Sequence, residues 1–386
     1  MTVTVCLSPN GVDHYRTDGP PRAVVVGTVD GVVGLEAGAA GGADGGGSAA
    51  WSVASRALDG LHVSSLMGVA ACASGRAVFA GIHGGGLHRS LDGGRQWAPA
   101  MTGLVHEHVF SLAADEREGA AVLYAGTEPA HLFRSVDCGT TWEELPGLRA
   151  VPGVEGWNFP APPFVAHVKH VTADPRDAAT LYVCVEQGAL LKSTDGGATF
   201  TELPFEDAEC RLNKDTHRIV FDPSDADVLY LDGGDGIFRS PDAGQSWERL
   251  ASPAMRIGYP DHLYLSPAEP GVVFVAGGGT PPNIWRETGD ARSTIARSGD
   301  GGRTWSALGG GLPDSLAGNI EAVTMVSWPG GFGFFAGTTD GEVFASLDGA
   351  AHWALIAAGL PPVSKCVHAR NLARGREAVA AATAGG

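Results

Sequence analysis

Ser90-Leu91-Asp92-Gly93-Gly94-Arg95-Gln96-Trp97 is the stretch on which the fold of this chain turns. The same pattern, Ser-x-Asp-x-Gly-x-x-(Trp/Phe), returns at Ser135–Trp142, Ser193–Phe200, Ser240–Trp247, Ser298–Trp305 and Ser346–Trp353. Its glycine stands at Gly94, Gly139, Gly197, Gly244 and Gly302, and the last copy departs with Ala350. Short Ser and Asp side chains bond the backbone of a tight turn, and Gly takes the φ > 0 position such a turn requires. The aromatic then opens the next strand and wedges between neighbouring sheets. Successive copies lie 45 to 58 residues apart, the length of one four-stranded unit in a radial array.

This octapeptide resembles the Asp box, or BNR repeat, of sialidase-like and sortilin-like β-propellers. The resemblance covers nearly the whole chain and implies an all-β propeller; six boxes and one blade shared by the two termini make it seven-bladed, with eight blades, one of them incomplete, as the alternative. It does not imply an activity, because the fold hosts unrelated functions. Sialidases of this fold need an Arg triad, a Tyr/Glu nucleophile pair and an acidic residue. No Phe-Arg-Ile-Pro motif precedes the first copy here, and Arg256-Ile257-Gly258-Tyr259 is a poor substitute. Xyloglucan hydrolases with these boxes carry two propellers in tandem, whereas this chain has the length of one. Sortilin-like receptors add a signal peptide and a cysteine-rich module. The chain is also similar to photosystem II assembly-factor propellers, which are binding proteins.

Composition agrees with a turn-rich β chain: 57 of the 386 residues are Gly. A formal charge of −17 argues against nucleic acid, since no cationic surface would displace phosphate counterions. Cys6, Cys72, Cys138, Cys184, Cys210 and Cys366 form no C-x-x-C pair and read as reduced, buried thiols. No signal-peptide pattern opens the chain and no apolar run would span a membrane, so a cytoplasmic protein is expected.

In chain order, residues 22–36 read as two strands about an Asp-Gly turn. The Gly/Ala tract 37–50 reads as a mobile loop, and Trp51 opens an outer strand. Residues 1–60 thus supply the outer strands of a blade that lacks its inner one. Residues 61–360 supply six full blades, and 361–386 are expected to close the ring with an inner strand at Cys366-Val-His-Ala-Arg-Asn-Leu-Ala. Residues 377–384 also read as a strand and compete with 22–28 for the same place. Two long loops, 150–166 and 277–296, fall on the face opposite the boxes, where function concentrates.

Aligning the inner strands gives the constellation with chemical content. His62-Val-Ser-Ser-Leu matches His108-Val-Phe-Ser-Leu, His167-Val-Lys-His-Val and His368-Ala-Arg-Asn-Leu, with Asp215, Tyr259 and Glu321 at this position in the other blades. Lys169, His217, Asp261 and Arg370 come next inward. Imidazoles and carboxylates converging on one axis point to a transition-metal site. His62, His108, His167 and His368 are therefore expected to bind one ion of Zn, Mn, Fe, Ni or Cu. Glu321, Asp215, Tyr259, Lys169 and His217 are the acid/base candidates. Trp157, Phe159, Arg256, Asp261, His262, Trp285, Arg286 and Arg370 are the substrate-contact candidates.

The function expected from these residues is a metal-dependent hydrolase or lyase acting on a small molecule or short saccharide at the channel mouth. The alternatives are a protein-interaction scaffold or assembly factor, and a metal-free glycosidase using Asp/Glu pairs. Neither nucleic acid nor membrane is an expected partner.

Overall fold

The computed structural model describes residues 3–38, 50–204, 214–250, 253–365 and 368–384. Seven sheets stand around a central channel, and six of them follow one plan. The inner strands are Val63–Val69, Val109–Arg117, His167–Asp174, Thr216–Asp222, Tyr259–Leu265 and Ile320–Trp328. Each pairs antiparallel with the next strand in the chain, and so outward to a short fourth strand. These define blades one to six; the seventh is built from the N-terminus. The Gly/Ala tract lies almost entirely outside the described residues, as do Cys210 and Cys366.

The six octapeptides make one kind of turn. In each, the Ser hydroxyl donates to the Asp carboxylate at 2.8–3.0 Å. In the first five copies that hydroxyl also accepts the backbone N–H of the box glycine at 2.8–2.9 Å. The glycine is required twice over. Gly139 has φ +71°, and a Cβ there would sit 2.3 Å from the Phe79 ring of the preceding blade. Gly197, at φ +90°, would place its Cβ 2.6 Å from Leu145. The turn therefore docks blade on blade as well as reversing the chain. Ala350, at φ +70°, keeps the left-handed conformation and accepts the strain of a side chain.

The seventh blade closes differently from the sequence expectation. Ala23–Thr28, Gly31–Ala37 and Trp51–Ala57 are its outer strands, as read, but its inner strand is Cys6–Leu7, pairing parallel with Val25 and Val26. The same N-terminal segment then crosses the channel. Asn10 and Val12 donate to the Ser64 and Leu66 carbonyls, and the Asn10 carbonyl accepts from Leu112. His14–Arg16 adds a parallel strand to Met325–Ser327 of blade six. Residues 3–17 thus join the first and last blades and fill the box-side half of the channel. Such closure covers the inner edge that an open ring would expose.

The C-terminus forms no strand in the described residues. His368–Ala384 is an α-helix, α2, lying against a short helix, α1, at Pro282–Thr288. Its buried residues are His368, Asn371, Leu372 and Gly375, one face of a 3.6-residue period. Ala and Arg favour the helix, while the Val/Ala run imitates a strand. A Cβ on Gly375 would fall 2.1 Å from the Trp285 carbonyl, so the helices meet backbone to backbone. The expected inner strand over 361–386, and the competing one over 377–384, are both replaced by this cap.

The cysteines need a second correction. Cys72 and Cys138 form a disulfide across 66 residues, linking blades one and two on the box face. Cys6 and Cys184 are free and buried. Cys72 and Cys138 thus depart from the expectation of reduced, buried thiols. Among the described residues, no helix is long and apolar enough to cross a membrane.

Candidate functional site

Every complete inner strand carries a one-residue register shift at the same place, skipping Ser64, Phe110, Lys169, His217, Asp261 and Glu321. A bulge of this kind re-aims side chains, and here it does so in all six blades. Counting back two residues from the bulge gives His62, His108, His167, Asp215, Tyr259 and Asn319. The aligned ring is therefore right in five blades and two residues off in blade six. Glu321 belongs to the inner, bulged layer with Lys169, His217 and Asp261.

That layer is a buried ionic network. Lys169 Nζ lies 3.1 Å from Asp261 Oδ1 and 3.3 Å from Glu186 Oε2, and Lys365 pairs with the other Asp261 oxygen. Burial works against charge on both carboxylates, yet Lys169 and Lys365 hold Asp261, and Lys169 and His167 hold Glu186, well below the usual range, helped in each case by His217. His217 donates from Nδ1 to the Pro260 carbonyl at 2.8 Å, and its Nε2 is 3.3 Å from both Asp215 Oδ1 and the Tyr259 hydroxyl. Against the burial penalty, Asp215 raises His217 to about 9. Burial and the surrounding carboxylates push Tyr259 well above the usual phenol range.

A cavity of about 350 Å³ opens above this network. Phe159, Glu186, Asp215, Tyr259, Arg286 and His368 are among its walls. The two long loops meet here: the first brings Phe159, and the second, folded as α1, brings Arg286, whose Nε donates to Asn371 of α2 at 3.0 Å. On the box side the channel is stopped by Asp13, which accepts from His170 Nε2 at 2.7 Å and pairs with Arg218. The cavity is a blind pocket.

Several expected site residues stand elsewhere. Trp157 lies under Arg149, whose guanidinium is 5.6 Å from its ring centre, and is not a cavity wall. Arg256 and Arg370 are exposed, and neither lines the cavity. Trp285 is fully buried, donates from Nε1 to the Thr280 carbonyl and meets Tyr259 and His368 edge-on, so it supports the roof from behind. His262 sits deeper, 3.4 Å from Arg218. Asp261 holds the lysines in place of a substrate.

The four histidines expected to share an ion do not converge. His62 Nε2 donates to the Ser364 carbonyl at 2.8 Å, His167 Nε2 to Glu186 at 2.7 Å, and His368 Nδ1 to Glu321 at 2.8 Å. His368 reaches the pocket from α2. Among the described residues, two groups bring metal-like ligand atoms within 4.8 Å of one another: His83–His108–Glu128 and Glu186–Asp215–His217. The site residues missing from the sequence reading are thus His83, as a ring member, with Glu128, Glu186, Lys365 and Asn371. A signal existed for three of them. His83, Glu128 and Glu186 each end the second strand opposite His62, His108 and His167, so aligning second strands would have collected them.

No protein-family profile matches the chain. Among curated proteins it is similar to a xyloglucanase of Paenibacillus sp, 27% identical over 270 residues, 63% of this chain and 25% of that protein. It is also similar to xyloglucanase Xgh74A of Acetivibrio thermocellus, 32% identical over 166 residues, 37% of this chain and 20% of that one. The chain spans a quarter or less of the length of these curated relatives. Among solved structures, the GH74 xyloglucanase of Xanthomonas campestris superposes with a TM-score of 0.53 at 16% identity, over 76% of this chain and 45% of that chain. YCF48 from Cyanidioschyzon merolae gives 0.56 at 17% identity, over 86% of this chain and 94% of its own. The chain is a seven-bladed β-propeller resembling GH74 xyloglucanases and YCF48.

Proposed function

We propose that this propeller is a glycoside hydrolase that cleaves a saccharide in the blind pocket, with no metal ion in the chemical step. The observation that carries the reading is the Glu186–Asp215 pair, whose carboxylates approach within 4.8 Å at the cavity wall. Retaining glycosidases place their two carboxyl groups about 5–5.5 Å apart. Glu186, held as an anion by Lys169 and His167, is the nucleophile that attacks the anomeric carbon. His217 keeps a proton at neutral pH and lies beside Asp215, so this pair protonates the departing glycosidic oxygen. Water then releases the sugar, with Asp215 as base. Phe159 and Tyr259 offer the faces on which a sugar ring packs. Lys169 already occupies the place beside Glu186 where an ion would sit, which supports metal-free chemistry. The xyloglucanase relatives support a saccharide substrate, and the turn geometry supports descent within the Asp-box superfamily.

The test is reducing-end release from xyloglucan and β-glucan oligosaccharides, with and without EDTA. We expect turnover that survives EDTA, is abolished in Glu186→Gln, which removes the nucleophile, and falls about 10²–10⁴-fold in Asp215→Asn, the usual worth of a positioned proton-transfer group. Turnover that ignores both substitutions, or no turnover on any glycan, refutes the assignment. The second outcome would favour a non-catalytic propeller. YCF48, described as bound to a D1 peptide, matches over 93% of its length, and its single-propeller match is the observation behind that second reading.

A further inference from the structure

We propose that His83, His108 and Glu128 form a binding site for a divalent transition-metal ion, separate from the Glu186–Asp215 pair and independent of the hydrolase reading. The three side chains come from blades one and two. His83 and Glu128 follow equivalent second strands, and His108 precedes the inner strand that Glu128 faces.

His108 Nδ1 is 3.4 Å from His83 Nδ1 and 3.9 Å from Glu128 Oε1. Metal–imidazole bonds of about 2.0–2.1 Å would subtend about 110° across the first of these separations, close to a tetrahedral angle. The two nitrogens face each other at a distance long for a hydrogen bond, an arrangement that an ion between them satisfies.

A second observation points the same way. Glu128 is 6% exposed, and its other oxygen is backed by His167 Nδ1 at 3.4 Å. His167 is 1% exposed and fixed through Nε2 to Glu186, which orients its Nδ1 toward Glu128. A carboxylate held from behind by an oriented imidazole is the support metal ligands ordinarily receive. The ion has a way in, because the His108 side chain is 41% exposed. His62 stands beside His83, ring centres 5.6 Å apart, but its Nε2 is committed to Ser364. Three protein ligands therefore leave coordination positions for water. Two imidazoles and a carboxylate without thiolate suit Zn, Mn, Fe(II) or Ni. The other group of this kind is less suited, since the Lys169 ammonium is seated beside Glu186, where it repels a cation.

The test is calorimetric titration of the tag-free full chain with ZnCl₂, paired with the visible spectrum of the Co²⁺-loaded protein. We expect one ion per chain and a Co²⁺ band characteristic of four-coordination. His83→Ala/His108→Ala should abolish both signals, and Glu128→Gln should weaken binding about 10-fold or more. Should the double variant unfold, His108→Asn serves, since this side chain is substantially exposed. No stoichiometric binding in wild type overturns the proposal. So does binding that survives the histidine substitutions, or that is lost in Asp215→Asn instead.

Discussion

The Asp13 plug gives the sharpest test of how the ring is closed. Arg218 is 4% exposed, and its guanidinium pairs with Asp13 from the N-terminal segment. Around it stand His262, 3.4 Å away, and the Tyr264 ring, 5.7 Å from the guanidinium. Burial holds His262 well below its usual pKa, so it adds no charge at neutral pH. Asp13→Ala would therefore leave a buried cation without its carboxylate partner, a change that costs about 3–5 kcal/mol. His170 Nε2 would also lose its acceptor, adding about 1 kcal/mol. The Asp13 side chain is 17% exposed, so water offsets part of this and the expected total is about 3–4 kcal/mol. Asp13→Ala/Arg218→Met removes both charges and should recover most of the loss. Equilibrium unfolding in urea, read as a shift in midpoint at constant slope, measures each variant. A cost below about 1 kcal/mol for Asp13→Ala, or a double variant as unstable as the two single losses summed, would refute the view that this ion pair pins the plug.

Two further outcomes follow from the geometry. Closing 66 residues between Cys72 and Cys138 removes chain entropy worth about 4 kcal/mol from the unfolded state. Cys72→Ser/Cys138→Ser should lower stability by up to that amount, and a urea midpoint unchanged by reduction would contradict it. His217 is raised from 6.5 to about 9 in the folded chain, so the folded state holds its proton more tightly. Its stabilising contribution is complete below pH 6.5 and lost as pH rises through about 9. Unfolding of wild type and His217→Gln across this window should converge at the alkaline end, and curves that stay parallel would remove the assigned role of Asp215 as its partner.

Much of the site was legible because its residues recur at fixed offsets from the octapeptides. His62, His108, His167, Asp215 and Tyr259 share a register in the structure as in the alignment, and the two long loops meet over one pocket. Glu321 stands two residues from the register because the inner strand of blade six runs on from its bulge to Trp328, two residues further than that of blade four, which runs from His217 to Asp222. His368 was misplaced because an Ala-rich segment satisfies the strand and helix patterns together, and packing against Trp285 decides between them. Glu128 and Glu186 escaped notice because each is a lone carboxylate at a strand end, and its meaning comes from the imidazole opposite.

The sequence by itself determined the blades: a turn that needs Ser, Asp and a φ > 0 glycine writes itself into the chain each time it occurs. Ring closure carries no such local signature. Cys6–Leu7 pairs parallel with Val25–Val26, and Asp13 reaches Arg218 across the channel. Both are long-range contacts that depend on the other blades already standing. The same holds for the chemistry, since the charge states of Glu186, Asp261 and His217 are set by groups from different blades and by their common burial.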